Sequence, residues 1–351
     1  MRILFITSRK SAGAEVSYPL IRFRRELRKA GLDFEILHEL PEPKKEKADA
    51  VIFCTPFWRD RFQTNGEFMK AADLMLARDF ERGYKVANKV VFFETSDSTA
   101  SAHLPRLQQV DMMLKWQILK DKQHYCTPEY QRKPCVWLEE SHKQRPAARA
   151  CDLHKLGIGW NLAYRNYSLF RRGARHLHWK GVTWNTRFTS VERNRPLLTF
   201  FRGGLAGSRQ THRGRAFCKL REMNRSDILL GEPVGRYRFI QEIRSAKATV
   251  SPFGYGEICF REMEAFIHGS IVVKPTMDHV DTFPNLYLPH ETYMPVKWDF
   301  SDLVDVLERV SDCYSELAEI ARNGQQAYKE FTLGADYFVN HLRNIMNRLF
   351  S

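Results

Sequence analysis

Short, almost uninterrupted apolar runs recur along the chain, at residues 2–7, 32–37, 48–53, 89–93, 197–201, 248–251 and 270–274, with stretches of helical spacing between many of them. A run too short for a helix and apolar on both faces is what a parallel strand needs when helices cover the sheet on both sides. The alternation predicts an α/β chain built on doubly wound sheets. After the first run, residues 8–14 read as a loop, Ser17 as the cap of a helix with Pro19 in its first turn, and Gly31 as its C-cap residue. Residues 67–84, 211–223, 237–245 and 336–350 read as helices, and residues 253–268 as a glycine-rich turn running into another. In the last helix Phe338, Leu342, Ile345 and Leu349 share one face, which suits packing back across the rest of the molecule. Residues 111–121 read as an amphipathic helix or a strand–helix junction, with Met112 and Met113 as core filler.

The chain has 351 residues, 43% of them hydrophobic, enough to bury two cores. Residues 131–194 are rich in Arg, His and Trp with weak periodicity, so the expected division is 1–180, 181–335 and a crossover helix at 336–351. Lys and Arg number 55 against 41 Asp and Glu, a formal charge of +14. That excess admits three partners: nucleic acid, an anionic membrane surface, or anionic small molecules such as nucleoside diphosphates. The seven cysteines are scattered with no spacing suited to structural zinc, which favours a reducing compartment. Arg9 and Lys10 interrupt the first apolar run too soon for a signal peptide, and no run approaches the roughly 18 apolar residues of a membrane span. The expectation is a cytoplasmic protein, with peripheral docking on the inner face of a membrane compatible with its charge.

The sharpest motif lies within residues 251–270. Gly254 and Gly256, with Tyr255 between them, stand between a strand and a helix, where missing side chains let backbone N–H groups approach an anion. Arg261 can fork onto phosphate oxygens, and Glu264, three residues further on the same face, suits two ribose hydroxyls. The competing reading is an ordinary turn with an exposed Arg and Glu. A second glycine-bearing stretch, residues 202–215, holds Gly203, Gly204 and Gly207 and is closed by Arg209, the preferred cation there. Arg213 and Arg215 read as a solvated helix face, and His212 as a satisfied residue rather than a phosphate ligand. There is no P-loop, no G-x-S-x-G elbow and no H-E-x-x-H.

Ser251-Pro-x-Gly-x-Gly256, then Arg261, Glu264-Ala265 and a strand ending in Lys274-Pro275, resembles the donor half of GT-B glycosyltransferases, especially the exostosin type and its bacterial relatives. The likeness covers residues 195–327 well and the first half more loosely; Ser11 to Ala14 is similar to the N-terminal glycine loop of that fold. The resemblance implies two Rossmann-like domains facing across a cleft, a nucleotide sugar on the C-terminal one and the acceptor on the N-terminal one. It implies that Glu264 holds the ribose and that Gly204, Gly207, Arg209, Gly254, Tyr255, Gly256 and Arg261 surround the diphosphate. Retaining members often carry two glutamates separated by seven residues; here Gly256 stands where the first belongs and Glu257 is one place out of register, which tilts the expectation to inversion. With no Asp-x-Asp, a metal-independent reaction with no cofactor beyond the donor co-substrate is expected.

Inverting transfer needs a group to take the acceptor proton. The run 92–99 leaves a strand at its carboxyl end, where open α/β sheets place their ligand crevice, making Asp97 the first choice of base, Glu94 the second and His103 the third. A helix cap at Asp97 and Ser98 is the equal alternative. The expected acceptor is a glycan or a lipid-linked hydroxyl. Trp160, Tyr164, Tyr167, Trp179 and Trp184 interleave with Arg165, Arg171, Arg172, Arg175 and Lys180, so a nucleic-acid acceptor, or a basic binding protein without catalysis, stays open as the alternative.

Overall fold

The computed structural model describes residues 1–43, 47–59, 68–127, 146–167, 177, 179–183, 185–205 and 210–351. In chain order the first half contains β1 (Arg2–Ile6), α1 (Ser11–Arg22), α2 (Arg24–Lys29), β2 (Asp33–Leu37), β3 (Ala48–Cys54), α3 (Pro56–Arg59), α4 (Phe68–Val86), β4 (Ala87–Glu94), β5 (Met112–Lys115), β6 (Gln117–Leu119) and β7 (Leu156–Ile158). Six of these strands form one sheet in the order β2-β1-β3-β4-β5-β7, parallel at every pairing.

The second half contains β8 (Thr199–Phe201), α5 (Gln210–Glu222), β9 (Ile228–Leu230), α6 (Arg236–Ser245), β10 (Ala248–Val250), α7 (Phe260–His268), β11 (Ile271–Pro275), β12 (Val280–Thr282), β13 (Met294–Val296), α8 (Leu303–Asp312), α9 (Tyr314–Leu333) and α10 (Asp336–Phe350). Strands β8 and β9 pair in parallel, as do β10, β11 and β13. A parallel bridge between Leu197 and Ala246, with the Lys247 and Ala248 amides donating to Leu197 and Leu198, joins the two ladders. The spatial order is β9-β8-β10-β11-β13, and its direction reverses between β8 and β10. The molecule is thus two parallel α/β units, the architecture that the resemblance implies.

Two local expectations are corrected. Helix α1 begins at Ser11, not at a Ser17 cap: Gly13 seats the first turn on the Ser8 backbone, where a Cβ would strike the Ser8 carbonyl. Ser17 instead lies mid-helix and returns its hydroxyl to the Gly13 carbonyl at 2.7 Å, with Pro19 inside the helix. Residues 111–121 form β5 and β6 rather than a helix, because Met112 and Met113 alternate between the two cores on opposite faces of the sheet.

The units are tied together away from their sheets. The buried face of α10, Phe338, Leu342, Ile345, Met346 and Leu349, completes the core that contains Ile3, Phe5, Ile52 and Val91 of the N-terminal sheet. Strand β12 of the second half pairs antiparallel with β6 of the first. Trp160 and Tyr164 belong to the first core while Leu162, Ala163 and Tyr167 belong to the second, so the chain crosses between units over these residues.

Candidate active site

A reversal of strand order leaves a crevice at the carboxyl ends of the two strands involved, since their connections leave in opposite directions. In the second sheet that crevice lies between β8, which runs into Arg202, Gly203 and Gly204, and β10, which runs into Ser251 to Gly254. Two guanidinium groups stand against these loops. Arg261, on α7, donates to the Val250 carbonyl at 3.3 Å, lies 5.5 Å from the centre of the Phe201 ring, and is 3.6 Å from where a Gly203 Cβ would sit. Arg213, on α5, reaches the Gly204 carbonyl at 3.5 Å and is 3.2 Å from where a Gly254 Cβ would sit. The predicted helix-face role of Arg213 is therefore corrected: it turns inward between the two glycine loops, whereas Arg215 is exposed as expected. Gly207 and Arg209 lie outside the described residues.

The neighbouring groups are committed to structure. His212 is fully buried and stacked on Phe253; its Nδ1 accepts from the Phe253 amide at 3.1 Å and its Nε2 faces the Trp298 carbonyl at 2.9 Å. Burial pushes its pKa down to about 4, so it is a neutral strut. Arg202 is spent in a fork on Glu242, with both contacts at 2.8 Å. Beneath the loop after β10, Lys274 is fully buried, 3.1 Å from Glu262 Oε1 and donating to the Glu257 carbonyl at 2.7 Å; Ser251 donates to the same Glu262 oxygen and Tyr287 to the other. Every member is paired, which is what makes a buried charge tolerable and the loop stiff.

Glu264 is 6% exposed and bonded to Arg236, at the start of α6, at 2.5 Å. A ribose held by Glu264 has to share it with that guanidinium. Tyr255 projects into solvent, while Gly204 has open space around it.

The N-terminal unit presents the loop after β4 to this crevice. Glu94 is buried with Lys115 at 2.7 Å. Burial works to raise its pKa, but Lys115, His103 and a bond from Ser101 outweigh it, and the carboxyl lies below its ordinary value. It is a fixed anion with its cation in place. His103 opens a turn at Leu104, its ring edge-on to Phe92 and its buried Nδ1 without a hydrogen-bond partner among the described residues. Asp97 is exposed at the tip of the loop, and its carbonyl accepts from Gln117.

The two units touch here. Gly256 lies so close to Asp97 and Ser98 that a Cβ would run into the Asp97 carbonyl, a packing reason for glycine that sequence reading assigned to phosphate approach instead. Glu257, fully buried, accepts from the Thr99 amide at 3.0 Å, the Thr99 hydroxyl at 2.5 Å and Gln117 Nε2 at 3.1 Å. Burial holds its carboxyl above the ordinary value against those bonds. His279 stands 3.9 Å away but does not form an ion pair, because burial depresses it to about 4. The only sequence signal for this contact was Glu257's displaced register.

Trp160, Tyr164 and Tyr167 are buried core residues rather than a base-stacking platform, and Arg165 is buried against Glu15 and the Phe260 ring. Trp179 packs edge-on to His38; Arg171, Arg172, Arg175 and Trp184 lie outside the described residues. Among the described residues, no helix is long and apolar enough to cross a membrane.

Neither a protein-family model nor a curated protein matches the chain. Among solved structures it is similar to Anabaena Alr3699/HepE in complex with UDP-glucose, at 11% identity over 99% of this chain and 100% of that one, with a TM-score of 0.45. An alpha1,3-fucosyltransferase is similar at 11% identity over 100% and 90%, with a TM-score of 0.46. TarM is similar at 8% identity over 86% of this chain and 55% of its own, with a TM-score of 0.46.

Proposed function

We propose that the chain is a glycosyltransferase that moves a sugar from a nucleoside-diphosphate sugar to a hydroxyl of a glycan or lipid-linked acceptor, with inversion and without a metal. The observation that carries this reading is the pair of glycine-bearing loops at the β8/β10 reversal with the Arg213 and Arg261 guanidinium groups set against them. A diphosphate placed there meets two planar cations, which offset the negative charge that grows on it as the bond to the sugar breaks. The acceptor oxygen attacks the anomeric carbon, its proton passes to a carboxylate, and the electron pair of the broken bond leaves with the diphosphate. Asp97 is assigned the proton because it is exposed at the meeting point of the units, whereas Glu94 is buried out of an acceptor's reach. His103 and Lys115 set the field around that loop. Tyr164 and Tyr167, buried as they are, lend nothing to a nucleic-acid acceptor.

The test is titration calorimetry with UDP, GDP, ADP and CMP sugars in EDTA. Binding of a UDP, GDP or ADP sugar at micromolar affinity, followed by transfer to a glycan or lipid-linked acceptor, is the expected result; the CMP sugar, with its single phosphate, is the control that stays unbound. Failure of all four in EDTA with binding restored by manganese removes the metal-free mechanism, and failure with and without metal removes the reading altogether.

A further inference from the structure

Thr99 lies two residues beyond the base assigned above, and its amide and hydroxyl both donate to Glu257, which belongs to the other unit. Gln117, at the start of β6, bonds both the Glu257 carboxylate and the Asp97 carbonyl, and Tyr125 holds the Thr99 carbonyl at 2.9 Å. Glu257 is itself immobile: Lys274 grips its backbone carbonyl, and Gly256 beside it rests on Asp97 and Ser98. The loop that would hold the donor diphosphate at Gly254 thus ends, three residues later, in a carboxylate that fixes residues 97–99 of the opposite unit.

We propose that Glu257 is a positioning residue that sets the acceptor-side loop, residues 95–101, in register with the donor loop by clasping Thr99 and Gln117. The proposal rests on the transferase reading for its consequence in catalysis but not for the clasp itself. The clasp needs an acceptor: one Glu257 oxygen takes both the Thr99 amide and Gln117 Nε2, which can only donate, and the other takes the Thr99 hydroxyl. An alanine at the same place removes both oxygens and leaves the three groups without their shared partner. The loop then shifts by a fraction of an ångström to an ångström, and misplacement on that scale costs on the order of 100-fold in rate while leaving donor binding alone.

The experiment compares wild type with Glu257→Ala, Thr99→Val and Thr99→Ser. Hydrogen exchange across residues 95–101 reads the clasp, and kcat with nucleotide affinity reads its consequence. Faster exchange in Glu257→Ala and Thr99→Val, kcat reduced about 10-fold to 100-fold with nucleotide Kd within about threefold of wild type, and recovery in Thr99→Ser are the expected results. Glu257→Ala combined with Thr99→Val is no worse than Glu257→Ala alone, since that variant already lacks the acceptor for the Thr99 hydroxyl. Unchanged exchange overturns the clasp. Faster exchange with unchanged kcat, or equal losses in kcat and nucleotide affinity, overturns the positioning role. A wild type that binds no nucleotide and transfers no sugar defeats the transferase reading, and the exchange data then still decide the clasp.

Discussion

At the scale of single residues, the site is made of groups whose partners decide their roles. Arg213 and Arg215 are two positions apart on α5, yet one faces the glycine loops and the other solvent. Arg213→Ala is expected to weaken nucleotide binding by roughly 10-fold to 100-fold, the worth of a hydrogen bond to a charged group, while Arg215→Ala leaves it unchanged, both read by calorimetry. Sequence reading had both as solvated, because a helix face is inferred from spacing and nothing in the spacing marks a loop folded over one side of it. Buried imidazoles give a second expectation. Burial depresses His212 and His279 to about 4 and His268 to about 3, against 6.5 in an unfolded chain. The unfolded state therefore binds more protons below pH 6.5, so stability is fully present above that value and is lost as pH falls towards 4. At about 1.4 kcal/mol per unit, His212 alone accounts for on the order of 3 kcal/mol. Denaturant titrations at pH 7 and 4.5 measure the loss, and His212→Gln is expected to flatten part of the slope; a slope equal to wild type excludes His212 as a contributor.

At the scale of elements, what was legible followed from local pattern. The apolar runs fixed β1, β3, β4, β8, β10 and β11 to within a residue or two, and α10 over its whole length, because a run buried on both faces and a single apolar stripe are each written in contiguous residues. Residues 111–121 failed for the opposite reason: an apolar stretch of that length satisfies a helix or two short strands, and only its neighbours β4, β7 and β12 choose between them. The turn between β10 and α7 was legible in Gly254 and Gly256. The partners of that loop, Thr99 and Gln117, were not, since they lie more than a hundred residues away and carry no motif. Leu342 tests how far α10 belongs to the first unit. It is fully buried in the N-terminal core, and Leu342→Ala is expected to cost about 2–5 kcal/mol in chemical unfolding. Exchange protection should fall in β1 and β3 as well as in α10; loss confined to α10 would mean the helix is only a rider on the surface.

At the scale of the whole molecule, two similar α/β units meet through the loop after β4 and the loop after β10. The two units were foreseen from the resemblance, whereas the closeness of the meeting, with no room for a side chain at Gly256, was not, because contact between units is a property of the assembled fold. The net charge of +14 named the anionic partners without choosing among them; the proposal of a nucleoside diphosphate rests instead on Arg213 and Arg261 standing at the glycine loops. The placement of α10 also carries a consequence in time. The strand β1 and the helix that covers its face are separated by about 330 residues of synthesis, from Ile6 to Asp336. At roughly 5–20 residues per second the ribosome needs roughly 15–70 s to cover that distance. Throughout that interval the core of Ile3, Phe5 and Ile52 has Val16, Leu20 and Phe23 beside it but lacks the stripe of α10. The first unit therefore matures late: residues 336–350 complete a core whose first strand left the ribosome about 330 residues earlier, however fast the residues between them fold.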